Sequence, residues 1–243
     1  LNNIIYSTPG HKLENAIDLK EYNKGTVVEA NDIYNITLMS SGNGAIDVRQ
    51  EHDDVLIYGN RLENIRSDGS LYQPFLKTYS PRRLEVFNNL FFSPEPEDQH
   101  GTWLWMSSSL AETAADIRFY NNSACNIPRG LLLNNMSGSL TINNNIFSNI
   151  WEEFATVFED GARVELANNL YTLDPRWSPY TGSSEYGRII ADAGFYNAGA
   201  GDFRVSPTSD AIDSGTPSLA PSRDYALAGR DDNPDIGAWE AAR

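Results

Sequence analysis

The chain has 243 residues, 40% hydrophobic and 21% charged, which excludes an unfolded chain and leaves room for one large domain or two small ones. Its 18 Lys and Arg against 33 Asp and Glu give a net charge of −15, without the basic stripe that a nucleic-acid partner needs. No apolar run reaches the roughly 18 residues of a membrane span, and the single cysteine, Cys125, excludes an internal disulfide and a cysteine-based metal site.

Leu1-Asn2-Asn3 opens in the middle of a repeat unit and lacks the basic start and apolar stretch of a signal peptide. The repeat itself ends on an asparagine: Thr26–Asn31, Val55–Asn60, Leu84–Asn89, Ile117–Asn122, Leu140–Asn145 and Val164–Asn169. Asn3 is the remnant of a further copy, and successive asparagines lie 23 to 33 residues apart. Apolar residues recur five and three positions before most of these asparagines. They recur again two positions after, at Ile5, Ile33, Leu62, Phe91, Ala124, Phe147 and Tyr171. That period of two describes a half-buried strand, a tight corner and a second half-buried strand.

Such a unit cannot bury its apolar face alone, but stacked copies can. Asparagine suits the corner for two reasons: it tolerates the left-handed conformation, and stacked amides can bond to one another along the axis. A third strand precedes each motif, at Ala45–Arg49, Pro74–Thr78, Thr102–Met106, Gly130–Asn134 and Ala155–Glu159. The expected fold is therefore all-β, a right-handed parallel β-helix of about seven coils with an asparagine ladder. The coils are expected over residues 1–172, and an irregular C-terminal capping region, packed on the same solenoid, over 173–243. An opening in mid-coil predicts that earlier coils of a longer chain, or another subunit, cover the first one.

In the tail, Asp202-Phe203-Arg204-Val205-Ser206-Pro207, Ala211-Ile212-Asp213-Ser214-Gly215 and Pro234-Asp235-Ile236-Gly237-Ala238-Trp239-Glu240 resemble the ending of many secreted bacterial β-helix proteins. This sequence departs from the family pattern by the inserted Thr208-Ser209-Asp210 and by Trp239 where tyrosine is usual. The resemblance implies a secreted or cell-surface bacterial protein that handles polysaccharide. Some members of that group look like lyases acting on alginate, pectate or glycosaminoglycan.

Uronate lyases need a base for the proton α to the carboxylate and a cation for the enolate-like intermediate. Lys77 as base and Arg49 as neutralising group lie on adjacent coils, with Tyr79, Arg82 and Arg83 near them in sequence. Lyases resembling chondroitinase B also use a Lys and an Arg on neighbouring coils, but there the Lys comes first. Outward positions for substrate are Trp105 and Trp103 as stacking platforms, with Tyr79, Arg82, Asn134 and Glu159. A hydrolase would instead draw on Glu152, Glu153, Glu159 and Asp160. Ca²⁺ has no spacing signature, but Glu51-His52-Asp53-Asp54 and Glu95-Pro96-Glu97-Asp98 offer oxygen ligands. The leading expectation is elimination from an acidic polysaccharide. The rival is a non-catalytic module for polysaccharide binding, adhesion or structure. An open basic groove over Lys77 favours the first, and an acidic face with Lys77 held in an ion pair favours the second.

Overall fold

A computed structural model describes residues 2–20, 24–39, 43–49, 52–67, 73–79, 81–94, 101–107, 115–134, 138–157, 162–173 and 188–241; over 101–107, 131–134 and 151–157 the description is of the backbone. Strands come in repeating sets. The first coils are β1 (Ile4–Tyr6), β2 (Ile17–Leu19) and β3 (Val27–Glu29), then β4 (Asp32–Leu38), β5 (Ile46–Val48) and β6 (Val55–Tyr58). Next come β7 (Arg61–Ser67), β8 (Gln73–Thr78) and β9 (Arg83–Phe87), then β10 (Leu90–Phe92), β11 (Gly101–Ser107) and β12 (Ala115–Tyr120). In the later coils the first two strands fuse into one, giving β13 (Ser123–Asn134) with β14 (Gly138–Asn143) and β15 (Ile146–Val157) with β16 (Ala162–Ala167).

Each of these strands pairs in parallel with its counterpart one repeat away, as a parallel β-helix requires. The first face runs β1-β4-β7-β10-β13 and on through β15 to β17 (Leu170–Tyr171) and β18 (Arg188–Ile189). The second runs β2-β5-β8-β11 and joins the later half of β13; the third runs β3-β6-β9-β12-β14-β16. Alternate side chains fill one continuous core. Ile33, Leu62, Phe91, Ala124, Phe147 and Tyr171 stack from the first face, and Val28, Ile57, Val86, Phe119, Ile142 and Leu166 from the third. Burial of each of the larger aliphatic and phenylalanine side chains contributes about 1.5–3 kcal/mol, and none could be realised by a single coil.

The amide ladder follows the predicted register. Asn3, Asn31, Asn60, Asn89, Asn122 and Asn145 each donate through Nδ2 to Oδ1 of the next asparagine, ending at Asn169, over 2.8 to 3.0 Å. The left-handed conformation, however, falls one residue earlier than expected. Ala30, Gly59, Asn88, Asn121, Asn144 and Asn168 have φ between 50° and 64°, and the ladder asparagines do not share it. The corner is a division of labour, in which the first residue turns the chain and the second bonds along the axis. A second, outer corner repeats the device at Asn35, Asn64, Asn126 and Asn149, also left-handed. There Asn64 bonds Asn35 and Asn149 bonds Asn126.

Residues 190–241 fold back along the flank of the coils. A hairpin of β19 (Phe195–Asn197) and β20 (Asp202–Val205) places Phe203 edge-on to Phe92, on the outer side of the first face. The asparagines before the ladder receive the rest: Asn88 Nδ2 donates to Arg223 O, Asn121 Nδ2 to Asp235 O, and Asn144 Nδ2 to Thr216 O. Arg230 clamps this segment, donating to Glu240, Asn88 Oδ1 and Gly237 O. Asp235 accepts the amides of Asp213 and Ala241, and Glu240 that of Asp235.

Candidate functional site

The register of the second face decides which predicted residues meet. Asp18 stands opposite Asp47, Asp47 opposite Lys77, and Lys77 opposite Trp105. That row continues to Leu132 and Thr156, so Asn134 is not part of it; Asn134 pairs with Ser107 one row away. Trp103 lies between Thr102 and Leu104, which pair with Pro74 and Leu76. Glu159 lies outside the described residues, as do Glu51, Glu95, Glu97, Asp98 and Asp160; Glu152 and Glu153 lie in β15, with Glu153 opposite Arg129. Arg82 belongs to the third face: its carbonyl accepts Asp116 N at the start of that sheet, and its side chain is exposed.

Lys77 and Arg49 do come together, but not alone. Arg49 bonds Glu14 at 3.1 Å and lies 3.0 Å from Asp18 and 3.8 Å from Asp47. Its Nε meets these two carboxylates as a charge contact, since neither approach is aligned as a hydrogen bond. Asn15 donates to Asp47 Oδ2 and to Gly44 O, and Lys20 pairs with Asp18 at 3.1 Å. The Lys77 ammonium sits over the Tyr79 ring, 4.6 Å from its centre. Glu14, Asn15 and Asp18 were not among the sequence candidates. The signal for Asp18 was present: Ile17-Asp18-Leu19, Ile46-Asp47-Val48 and Leu76-Lys77-Thr78 each centre a charged residue at the same position of successive coils.

Burial dominates the electrostatics. Asp47 is 1% exposed, and desolvation pushes its carboxyl up to about 6 against the pull of Arg49 and Lys77. Lys77 is 4% exposed, and burial draws its ammonium below the usual lysine range although Asp47 opposes this. Desolvation acts to lower Arg49 too, but Asp47 and Asp18 outweigh it and hold the guanidinium charged. Burial also raises the Tyr79 hydroxyl. Gly44 closes over Lys77 so tightly that a Cβ on it would fall 2.8 Å from Lys77 Cβ and 2.7 Å from Ile46 O.

A base in β-elimination must touch the substrate's α-proton, and this lysine is enclosed. A neutralising arginine must have hydrogen bonds to offer a uronate, and Arg49 is engaged by carboxylates. What the arrangement accomplishes is a mutual neutralisation of charges across β2, β5 and β8, joining three successive coils. The proposed oxygen ligands have other partners as well. His52 is buried and donates Nε2–H to Leu19 O, while Asp53 and Asp54 pair with Arg83. Among the described residues no group of three or more His, Cys, Asp or Glu is placed to hold a metal ion. Among these residues no helix is long and apolar enough to cross a membrane. In comparison with known proteins, the chain matches no family model and no curated sequence.

Proposed function

We propose that this is a secreted or cell-surface polysaccharide-binding β-helix that does no chemistry on its ligand. The observation carrying this reading is the enclosure of Lys77 with Asp47 and the engagement of Arg49 by Glu14 and Asp18. The most reactive-looking pair in the sequence holds coils together. Binding is supported by architecture: side chains recur in straight rows at ~4.8 Å intervals, a geometry suited to an extended polymer. The bacterial polysaccharide context rests on the resemblance of the tail, a fold-level analogy. A net charge of −15 favours an uncharged polymer over a polyanion.

One observation favours a lyase instead: the lowered lysine beside an arginine has the electrostatics of a base. Incubation with alginate, pectate, chondroitin sulfate and ulvan, with and without Ca²⁺, separates the two. The expected result is no ultraviolet-absorbing unsaturated product, together with retention in a native gel containing a polysaccharide. Formation of that product, lost in Lys77→Ala with the circular dichroism spectrum intact, overturns the binding reading.

A further inference from the structure

The third face carries an open concavity, on a different face of the coils from Lys77. Over β12, β14 and β16 lies a trough of about 890 Å³, floored by Asp116, Arg118, Ser139, Thr141, Arg163 and Glu165. Ser218 and Leu219 of the flanking tail stand along one side. Their position is set by Thr216, whose amide bonds Asn144 Oδ1 and whose carbonyl accepts Asn144 Nδ2. The asparagine corner thus fixes the wall of the trough on the coils that form its floor.

The floor is ordered in two rows. Arg83, Asp116, Ser139 and Arg163 align in one; Glu85, Arg118, Thr141 and Glu165 align in the other. Arg118 pairs with Asp116 at 2.9 Å and Arg163 with Glu165 at 2.5 Å, all four side chains substantially exposed. Exposed pairs of this kind hold together weakly, so their donors and acceptors can turn to a ligand at little cost. The floor charges cancel, which gives a uronate or phosphate polymer no net attraction. What the trough presents is a mixture of guanidinium donors, carboxylate acceptors and hydroxyls, with Leu219 as an apolar contact. The complement is a molecule with many hydroxyls, no charge and some exposed C–H surface.

The two rows also continue along the face. Past Arg83 and Glu85 a second hollow of about 270 Å³ opens over β6 and β3, bordered by Val27, Asp54 and Leu56. Six strands at ~4.8 Å spacing make a path of about 24 Å along the axis, longer than a compact metabolite requires.

We propose that this third-face trough binds a neutral, extended oligosaccharide, with Arg118, Thr141, Glu165 and Ser218 at its centre. The proposal rests on the polysaccharide-binding reading above and names its site and ligand class. The test is native-gel retention and calorimetry of the whole chain with β-glucan, xylan and glucomannan, alongside alginate and pectate. Thr141→Trp fills the floor, and Ser218→Trp fills the trough from an exposed wall position. Each is expected to weaken binding of a neutral glycan by about tenfold or more, with circular dichroism unchanged. Tyr196→Ala, on the exposed outer surface of the tail, is expected to leave binding as it was. Retention that survives both tryptophans overturns the trough while leaving the binding reading in place, and so does retention lost only in Tyr79→Ala. Binding confined to alginate or pectate overturns the ligand class. Retention by none of the five polymers overturns the trough and the binding reading together.

Discussion

Asp47 holds a proton in the folded chain under conditions where a solvated aspartate has lost it. Burial lifts its carboxyl from 3.8 to about 6, so between those values the folded state binds a proton that the unfolded state has released. The resulting stability is complete at the acid end of that window and is lost as pH rises through 6. Two pH units correspond to about 3 kcal/mol. Asp235 and Glu240 are raised by burial too and act with the same sign. Urea unfolding from pH 4 to 7 is expected to show stability falling across this window, with a shallower slope in Asp47→Asn. At neutral pH that variant recovers little, because Lys77 loses the carboxylate opposite it. Gly44 offers a separate probe, since its replacement by alanine drives a methyl into Lys77 and the Ile46 carbonyl. The expected cost is about 1–3 kcal/mol, measured by the same unfolding experiment. That Lys77 and Arg49 share a neighbourhood was legible from their places on the successive strands Ala45–Arg49 and Pro74–Thr78. The enclosure of Lys77 and the engagement of Arg49 were not, because they depend on Glu14, Asn15 and Gly44, which reach the cluster from outside the repeating strands.

At the scale of the strand and its corner, the sequence was far more transparent. A period of two with an asparagine at each stop specifies both the buried side and the axis of stacking, and the observed register follows it residue for residue. The displaced left-handed residue escaped because doublets such as Asn88-Asn89 carry two asparagines, either of which could turn the chain. Ala30 and Gly59, where the doublet is absent, held the answer. The loss of the break between the first two strands in β13 and β15 was also hidden, since Ile127 and Pro128 do not announce a continuous strand. Within the ladder, Asn122 donates to Val86 O, Tyr120 O and Asn145 Oδ1, and its own Oδ1 accepts from Asn89. Replacement by leucine leaves several buried groups unpaired, at ~1–3 kcal/mol apiece. Asn122→Leu is therefore expected to lower stability by more than ~3 kcal/mol in urea titration. Asn35→Gly, at an exposed left-handed corner, is expected to stay within about 1 kcal/mol of wild type.

For the molecule as a whole, the tail is the element that converts a stack of coils into a surface with relief. Residues 190–241 have almost no regular structure, and their hold on the coils is a set of specific polar bonds. Arg230 is the centre of that set, its side chain 2% exposed, with burial pulling its charge down and Glu240 opposing. Removing it strands Glu240 in a buried place. Arg230→Ala is expected to cost about 3–5 kcal/mol, with the tail becoming the first site of limited proteolysis while the coils retain their circular dichroism. Should the trough be a binding site, the same variant loses its wall and its ligand together. The trough could not be read from the sequence, because it pairs Thr141 with Ser218, residues that no repeat relates.

The amide ladder gives the rod a direction. Every amide-to-amide bond in it runs the same way along the axis, donor toward Asn3 and acceptor toward Asn169, like arrows nose to tail. Added coils of the same pattern meet Asn3 with donors and extend the series. Two rods brought together through their Asn3 rungs would instead set the acceptor oxygens of two ladders against each other. The solenoid is in this sense a polar crystal in one dimension, with ladder acceptors facing toward Asn3 and ladder donors facing toward Asn169.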